Sequence, residues 1–312
     1  MVSKIIRKIS DILQEKERTY SLEFFPPKTE KGLERLFETA GIFKELEPDW
    51  FAVTYGAGGT TREITMDIVD GLQKRFQIPT MHHLTCVGHS QAELKVIIEK
   101  MKEKNICNIL ALLGDPPQGV EHWEPAPDEF KYCYQLIKLI RSYDTLFSDD
   151  SPQHGATPLI PYSFFSLGVA GFPEGHIDCP DKETDAKYLK IKIDAGGEFV
   201  ITQLFFDNKD YFEYLARLRK IGVTTRIIPG ILPITDYQTL VRFCNTCGAT
   251  IPQRVHDIFK PLDGDTEATY KTGVDFAVEQ CNELLASGAP GLHFFTLNKL
   301  EPTREILNKI KR

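Results

Sequence analysis

Apolar residues recur along this chain in two rhythms. Compact runs at 20–24, 50–54, 80–86, 107–113, 164–170, 199–203, 226–231 and 291–296 are short and bounded by turn-forming residues, which predicts eight β-strands. Between them lie longer stretches in which apolar residues return every three or four positions, the period that lines one face of a helix. Ile64, Ile68, Val69 and Leu72 mark such a face within 62–76, and Leu94, Ile97, Ile98 and Met101 mark another within 91–104. The same period runs through 30–46, 129–141, 181–195, 210–221, 236–244, 266–286 and 303–311, and a further helix is expected within 1–17.

Strands and helices alternating in this way predict a parallel sheet with helices packed outside it. Eight repeats over 312 residues favour a sheet closed on itself: a single (β/α)8 TIM barrel spanning 1–312, with an N-terminal helix and no second domain. A doubly wound dinucleotide-binding sheet would carry GxGxxG after its first strand, whereas Phe25-Pro26-Pro27 stands here. The stretch 142–161, with Ser148-Asp149-Asp150-Ser151-Pro152, reads as a long surface loop.

Composition narrows the function classes. Hydrophobic residues make up 42% of the chain, enough for a large core, and the net charge of −7 gives no general attraction to nucleic acid or anionic lipid. An anionic ligand would therefore be held locally, by a few cations, backbone amides or helix N-termini. No apolar run is long enough to span a membrane and residues 1–17 lack the layout of a signal peptide, so the cytoplasm is expected. Seven cysteines, odd in number and scattered, argue against a disulfide framework. Cys244 and Cys247 form an isolated CxxC, read as two thiols one turn apart on a helix.

In a barrel of this kind, chemistry sits at the C-terminal ends of the strands. Glu23 lies there inside the apolar run Leu22-Glu23-Phe24-Phe25, either as a core ion-pair partner or as an acid whose pKa burial raises. Asp115 follows the apolar fourth strand, as a turn residue or a site acid, and Gln203 ends the sixth. His82 and His83 are adjacent on the third strand and so point to opposite faces; they cannot share a metal, and no metal is expected. Val53-Thr54-Tyr55-Gly56-Ala57-Gly58-Gly59 permits close backbone approach to a ligand, or is simply a turn with Thr61 capping the next helix. Acids, an amide, Lys299 and several aromatics at strand ends suit a flat, nitrogen-rich ligand handled by proton or hydride transfer.

Taken in order, Leu22-Glu23-Phe24-Phe25-Pro26-Pro27-Lys28, Val53-Thr54-Tyr55-Gly56-Ala57, His83-Leu84-Thr85-Cys86, Gly114-Asp115-Pro116, Phe172-Pro173-Glu174-Gly175-His176, Asp194-Ala195-Gly196, Ile201 to Asp207, Ile227 to Pro233 and Phe295-Thr296-Leu297-Asn298 resemble the methylenetetrahydrofolate reductase family over nearly the whole chain. The resemblance implies a short, bacterial-type catalytic barrel without a regulatory domain. It also implies a homo-oligomer using FAD, reduced by NADH or NADPH, to convert the methylene of a folate into a methyl group. It casts Glu23 as the general acid and Asp115 as a group facing pterin and flavin. Gln203, Phe243, Phe295 and Lys299 become substrate contacts. Thr54, His83, Leu113, Gly114, Asp115, Phe172, His176, Asp185, Tyr188 and Lys192 become cofactor contacts, with Lys192 at the pyrophosphate. The chain departs from the family pattern where Leu113 and Ile191 replace arginines, Phe172 and Phe295 replace tyrosines, Lys299 replaces an arginine and Thr239 replaces a glutamine. Each lost charge-assisted contact is worth about 1.5–3 kcal/mol. Two other readings stay open: a pterin-binding methyltransferase barrel, and a folate reductase subunit that depends on a redox partner.

Overall fold

In the computed structural model, residues 7–55, 62–115, 124–144 and 163–310 are described below. Eight parallel strands close in sequence order into a barrel, with the last pairing the first. They are β1 (Thr19–Phe24), β2 (Trp50–Val53), β3 (Thr80–Thr85), β4 (Asn108–Leu112), β5 (Ser166–Gly171), β6 (Phe199–Leu204), β7 (Arg226–Ile231) and β8 (Gly291–Phe295). The predicted TIM barrel is thus the observed fold.

Because side chains alternate across each strand, the barrel has two apolar layers. Inside, Trp50, Ala52, Met81, Leu110, Phe199, Ile201 and Ile228 form one cluster, and helix α1 (Ile9–Glu15) plugs its floor with Ile9 and Leu13. Residue Lys8 offers this helix no side-chain cap. Its first amides are instead taken by the barrel, Ile9 N–H donating to Asn108 Oδ1 at 2.8 Å and Ser10 N–H to Ser166 Oγ at 2.9 Å. Outside, Leu22, Phe24, Phe51, Leu84, Ile109 and Leu167 meet the apolar faces of the surrounding helices.

That outer ring consists of α2 (Glu30–Lys44), α3 (Arg62–Phe76), α4 (Gln91–Glu103), α5 (Cys133–Asp144), α6 (Lys182–Asp194) and α7 (Asn208–Lys220). After β7 the chain makes α8 (Tyr237–Cys247), α9 (Gln253–Phe259) and α10 (Thr266–Ala286), and after β8 it ends in α11 (Thr303–Lys309). Helix starts carry side-chain caps where the sequence supplies Thr, Ser or Asp: Thr29, Ser90, Asp181, Asp207, Asp236 and Asp265 each accept a first-turn amide. The predicted helix at 129–141 begins later, at Cys133, because residues 124–132 are taken up by turns. Helix α9, seven residues long, was not expected. Most of the loop expected at 142–161, and Thr61, lie outside the described residues. All seven thiols are free, and Cys244 and Cys247 share α8 as expected. Among the described residues no helix is long and apolar enough to cross a membrane.

Gly273 shows how tightly the extra helices after β7 are docked. It lies within α10, and a Cβ built there would stand 1.6 Å from the carbonyl oxygen of Ile234. Helix propensity alone would make Gly273→Ala stabilising by about 1 kcal/mol. The backbone contact reverses the sign, and we expect this variant to lose roughly 1–3 kcal/mol or more in chemical denaturation. An unchanged or higher midpoint would show that α10 can shift away without cost.

Candidate active site at the barrel mouth

Glu23 projects from β1 into the barrel and is 3% exposed. Its carboxylate meets two imidazoles: His293 Nε2 on β8 at 3.1 Å and His83 Nε2 on β3 at 3.3 Å. The backbone register explains both contacts. Ser21 lies opposite His293 across the β1–β8 pair, and Ser21 Oγ is 2.8 Å from His293 Nδ1. Two residues further along β1, Glu23 reaches back to the other ring nitrogen. His83 is two strands away, and the residue beside Glu23 on the intervening strand is the small Ala52. The result is a buried polar chain, Ser21–His293–Glu23–His83, in which both His293 nitrogens have partners.

The end of β8 fixes the backbone of the acid. Thr296 Oγ1 donates to the Glu23 carbonyl at 2.6 Å. Asn298, in the left-handed region at φ 59°, accepts from Phe25 N–H at 2.8 Å and donates to Phe25 O at 2.7 Å. An Asn in this conformation is tolerated locally; Leu297 beside it, at φ 50°, is strained. Ser21, His293, Thr296 and Asn298 were given no role from the sequence. Their partners are distant along the chain, and only the β1–β8 pairing reveals them.

Burial holds the His83 imidazole down at about 4, against the pull of Glu23 in the other direction. His82, as strand alternation predicted, faces the opposite way, toward the outer helices, and takes no part in this chain.

A second group forms at the β5–α6 side. Phe172 and His176 pack edge to face with centroids 4.6 Å apart, and the Lys192 ammonium lies 5.8 Å from the Phe172 ring centre. Lys192 is half-buried, its desolvation lowers its pKa, and it donates to Ala170 O at 2.6 Å. Burial raises the pKa of Asp185, opposed by Lys192 and His176 nearby. Four of the predicted cofactor contacts thus stand together. Tyr188, on the same helix, is 52% exposed and Ile191 43% exposed, outside that cluster.

The remaining candidates ring the mouth. Thr54 follows β2, its N–H bound to Phe24 O at 2.9 Å. Leu113, Gly114 and Asp115 follow β4, with Asp115 exposed. Gln203 on β6 is half-buried and its amide oxygen accepts from Leu204 N–H at 2.9 Å. Phe243 and Phe295 both pack on the apolar cluster under α8, Phe295 also standing edge-on to His293 at 5.3 Å. Lys299 is exposed near Asp236, the cap of α8. Asp115 and Gln203 make no hydrogen bond to Glu23; the acid is hydrogen-bonded to His293, and His83 stands 3.3 Å from the same carboxyl oxygen. Among the described residues no group of three or more His, Cys, Asp or Glu is placed to hold a metal ion.

The depressed His83 sets a pH response. Its folded pKa is below the unfolded value of 6.5, so at lower pH the unfolded chain takes a proton that the folded one refuses. Stability is therefore complete above 6.5 and falls as pH drops toward 4, by up to about 1.4 kcal/mol per pH unit for this group. Urea midpoints measured at pH 7 and pH 5 should differ less in His83→Gln than in the parent; an equal difference would mean that His83 takes up its proton without opposition.

The family model of methylenetetrahydrofolate reductase matches residues 8–311. Methylenetetrahydrofolate reductase (NADH) 1 of Arabidopsis thaliana is 33% identical over 304 residues, covering 95% of this chain and 48% of the relative. Methylenetetrahydrofolate reductase 1 of Schizosaccharomyces pombe is 35% identical over 308 residues, 97% and 48% respectively. A probable methylenetetrahydrofolate reductase (NADPH) of Caenorhabditis elegans is 33% identical over 311 residues, 97% and 44%. The chain thus spans about half the length of the curated relatives it matches. Among solved structures, an uncharacterized protein from Clostridium thermocellum that binds two copies of 5-methyl-5,6,7,8-tetrahydrofolic acid shares the fold. Its TM-score is 0.61 at 16% identity, over 96% of each chain. An oxaloacetate acetylhydrolase shares the barrel at a TM-score of 0.53 and 11% identity, over 97% of this chain and 84% of that one. By the match of its sequence from end to end, this chain belongs to the methylenetetrahydrofolate reductase family.

Proposed function

We propose that this chain reduces 5,10-methylenetetrahydrofolate to 5-methyltetrahydrofolate, with NADH or NADPH as donor and FAD as the carrier between two half-reactions. The observation that carries the reading is the buried carboxyl of Glu23, held between His83 and His293 at the catalytic end of the barrel. Both cofactor names occur among the relatives, NADH in Arabidopsis thaliana and NADPH in Caenorhabditis elegans. A barrel of the same fold from Clostridium thermocellum binds the proposed product.

The residues present fit FAD. An ammonium has three donors, and Lys192 spends one on Ala170 O, which leaves N–H groups for a phosphate in a half-buried, aromatic setting. Phe172 and His176 would flank the same group, and His83, with its pKa held low, would meet it as a neutral ring. FAD, when bound, supplies the hydride chemistry that no amino-acid side chain provides. The chain's own residues supply binding and protons. Glu23 delivers a proton to the amine nitrogen released when the one-carbon bridge of the folate opens. His293, whose Nδ1 is engaged by Ser21, keeps that carboxyl aimed, and the apolar layer below it excludes water. Phe243 and Phe295 offer flat faces to the folate, and Gln203 and Asp115 offer polar groups for its ring edge.

The purified chain should carry or take up FAD. Its absorbance should bleach with NAD(P)H under anaerobic conditions and return on adding methylenetetrahydrofolate, without any second protein. A chain that cannot be reconstituted with FAD contradicts the reading; recovery only after a partner protein is added would favour the partner-dependent alternative. Within this reaction, Glu23→Gln should slow the folate half-reaction roughly 10²–10⁴-fold and leave reduction by NAD(P)H nearly unchanged. Stopped-flow absorbance separates the two steps, and equal loss in both would remove Glu23 from the role of acid.

A further inference from the structure

Strand β6 falls out of step with β7 near the barrel mouth. Ile201 pairs with Ile228, but the next paired residues are Leu204 and Gly230, so β6 has advanced by one residue more than β7. The extra residue is a β-bulge, a feature that bends a strand and re-aims side chains beside a site. It also exchanges the faces beyond it. Val200 and Phe205 lie an odd number of positions apart, yet both pack in the outer apolar layer, and Leu204 joins the cluster under α8.

A bulge disrupts the ladder, and the amides around it need other partners. Two side chains of the bulge itself supply them. The hydroxyl of Thr202, a residue 1% exposed, accepts from Gly230 N–H at 2.9 Å. The Gln203 amide oxygen accepts from Leu204 N–H at 2.9 Å. Since the Leu204 N–H is a donor, the side-chain amide can turn only its oxygen that way. Its NH₂ group is left with no hydrogen-bond partner among the described residues, on a side chain that is half-buried.

Gly230 lets the strands close over the bulge. A Cβ there would stand 2.3 Å from the Thr202 carbonyl oxygen and 2.7 Å from the Phe295 ring. The same Phe295 stands edge-on to His293, whose Nε2 bonds Glu23. Bulge, aromatic ring and acid are therefore packed in succession from β6 round to β1.

We propose that Thr202 is a positioning residue for the substrate. Its hydroxyl pins the bulge, and the pinned bulge holds Gln203 as a one-way donor, offering its NH₂ to a carbonyl oxygen of the ligand's ring. The pyrimidine ring of a pterin carries such a carbonyl. The inference rests on the folate reading above and adds which end of the Gln203 amide meets the ligand. Thr202 is buried and acts only through Gln203.

The test uses the FAD-loaded chain with 5-methyltetrahydrofolate as the probe. In the parent, the ¹⁵N side-chain amide signals of Gln203 should shift as the folate saturates, a result that needs no variant. Thr202→Val keeps the branched shape and removes the hydroxyl; before any folate is added it should already move those signals. In equilibrium dialysis it should bind the folate about tenfold more weakly, the effect of one hydrogen bond. Thr202→Ser should restore affinity to within about twofold of the parent. Added to Gln203→Ala, Thr202→Val should bring no further loss, because nothing is left to position. The proposal is overturned if the Gln203 signals ignore the folate, if Thr202→Val leaves them in place, or if the two losses add. A parent that binds no folate overturns the folate reading instead, and the ligand-free shift in Thr202→Val still decides whether Thr202 holds the amide.

Discussion

A carboxylate inside a closed barrel is the constraint on which the site depends. Removing Glu23 from water costs several kcal/mol unless its oxygens are bonded. Against that demand His293 hydrogen-bonds the carboxyl through the β1–β8 pair, and His83 stands 3.3 Å from the same oxygen across β2. Ser21 then occupies the second nitrogen of His293, so one demand propagates along a chain of buried polar groups. The small Ala52 on β2 and the clamp of Thr296 and Asn298 on the end of β1 follow from the same need.

The architecture separates tasks around one rim. The acid sits on β1 and its supporting rings on β3 and β8. The cation and aromatics suited to a dinucleotide stand together on β5 and α6, and the flat faces suited to a folate on α8 and β8. Residues below the rim are apolar and closed off by α1, which makes the interior a support and not a passage.

Much of this was legible in the chain because periodicity reports local geometry. Eight short apolar runs separated by helical periods predicted the closed barrel, and Glu23 stood out as the one acid within an apolar, aromatic strand. Alternation also placed His82 and His83 on opposite faces. Periodicity carries no register between strands, so the links from Ser21 to His293 and from His293 to Glu23 could not be seen until β8 was laid against β1. The roles of Lys192 and Tyr188 came from resemblance. Their positions on α6 divide them, since Lys192 turns inward to Ala170 while Tyr188 faces solvent.

The account's central claim is that Glu23 sits where the folate reacts. The most direct measurement is a crystal structure of the FAD-loaded protein with 5-methyltetrahydrofolate. The claim predicts the pterin at the barrel mouth, with its reactive end within about 2.6–3.2 Å of the Glu23 carboxyl or one water away. A folate seated elsewhere, with Glu23 still sealed between its two imidazoles, would contradict it.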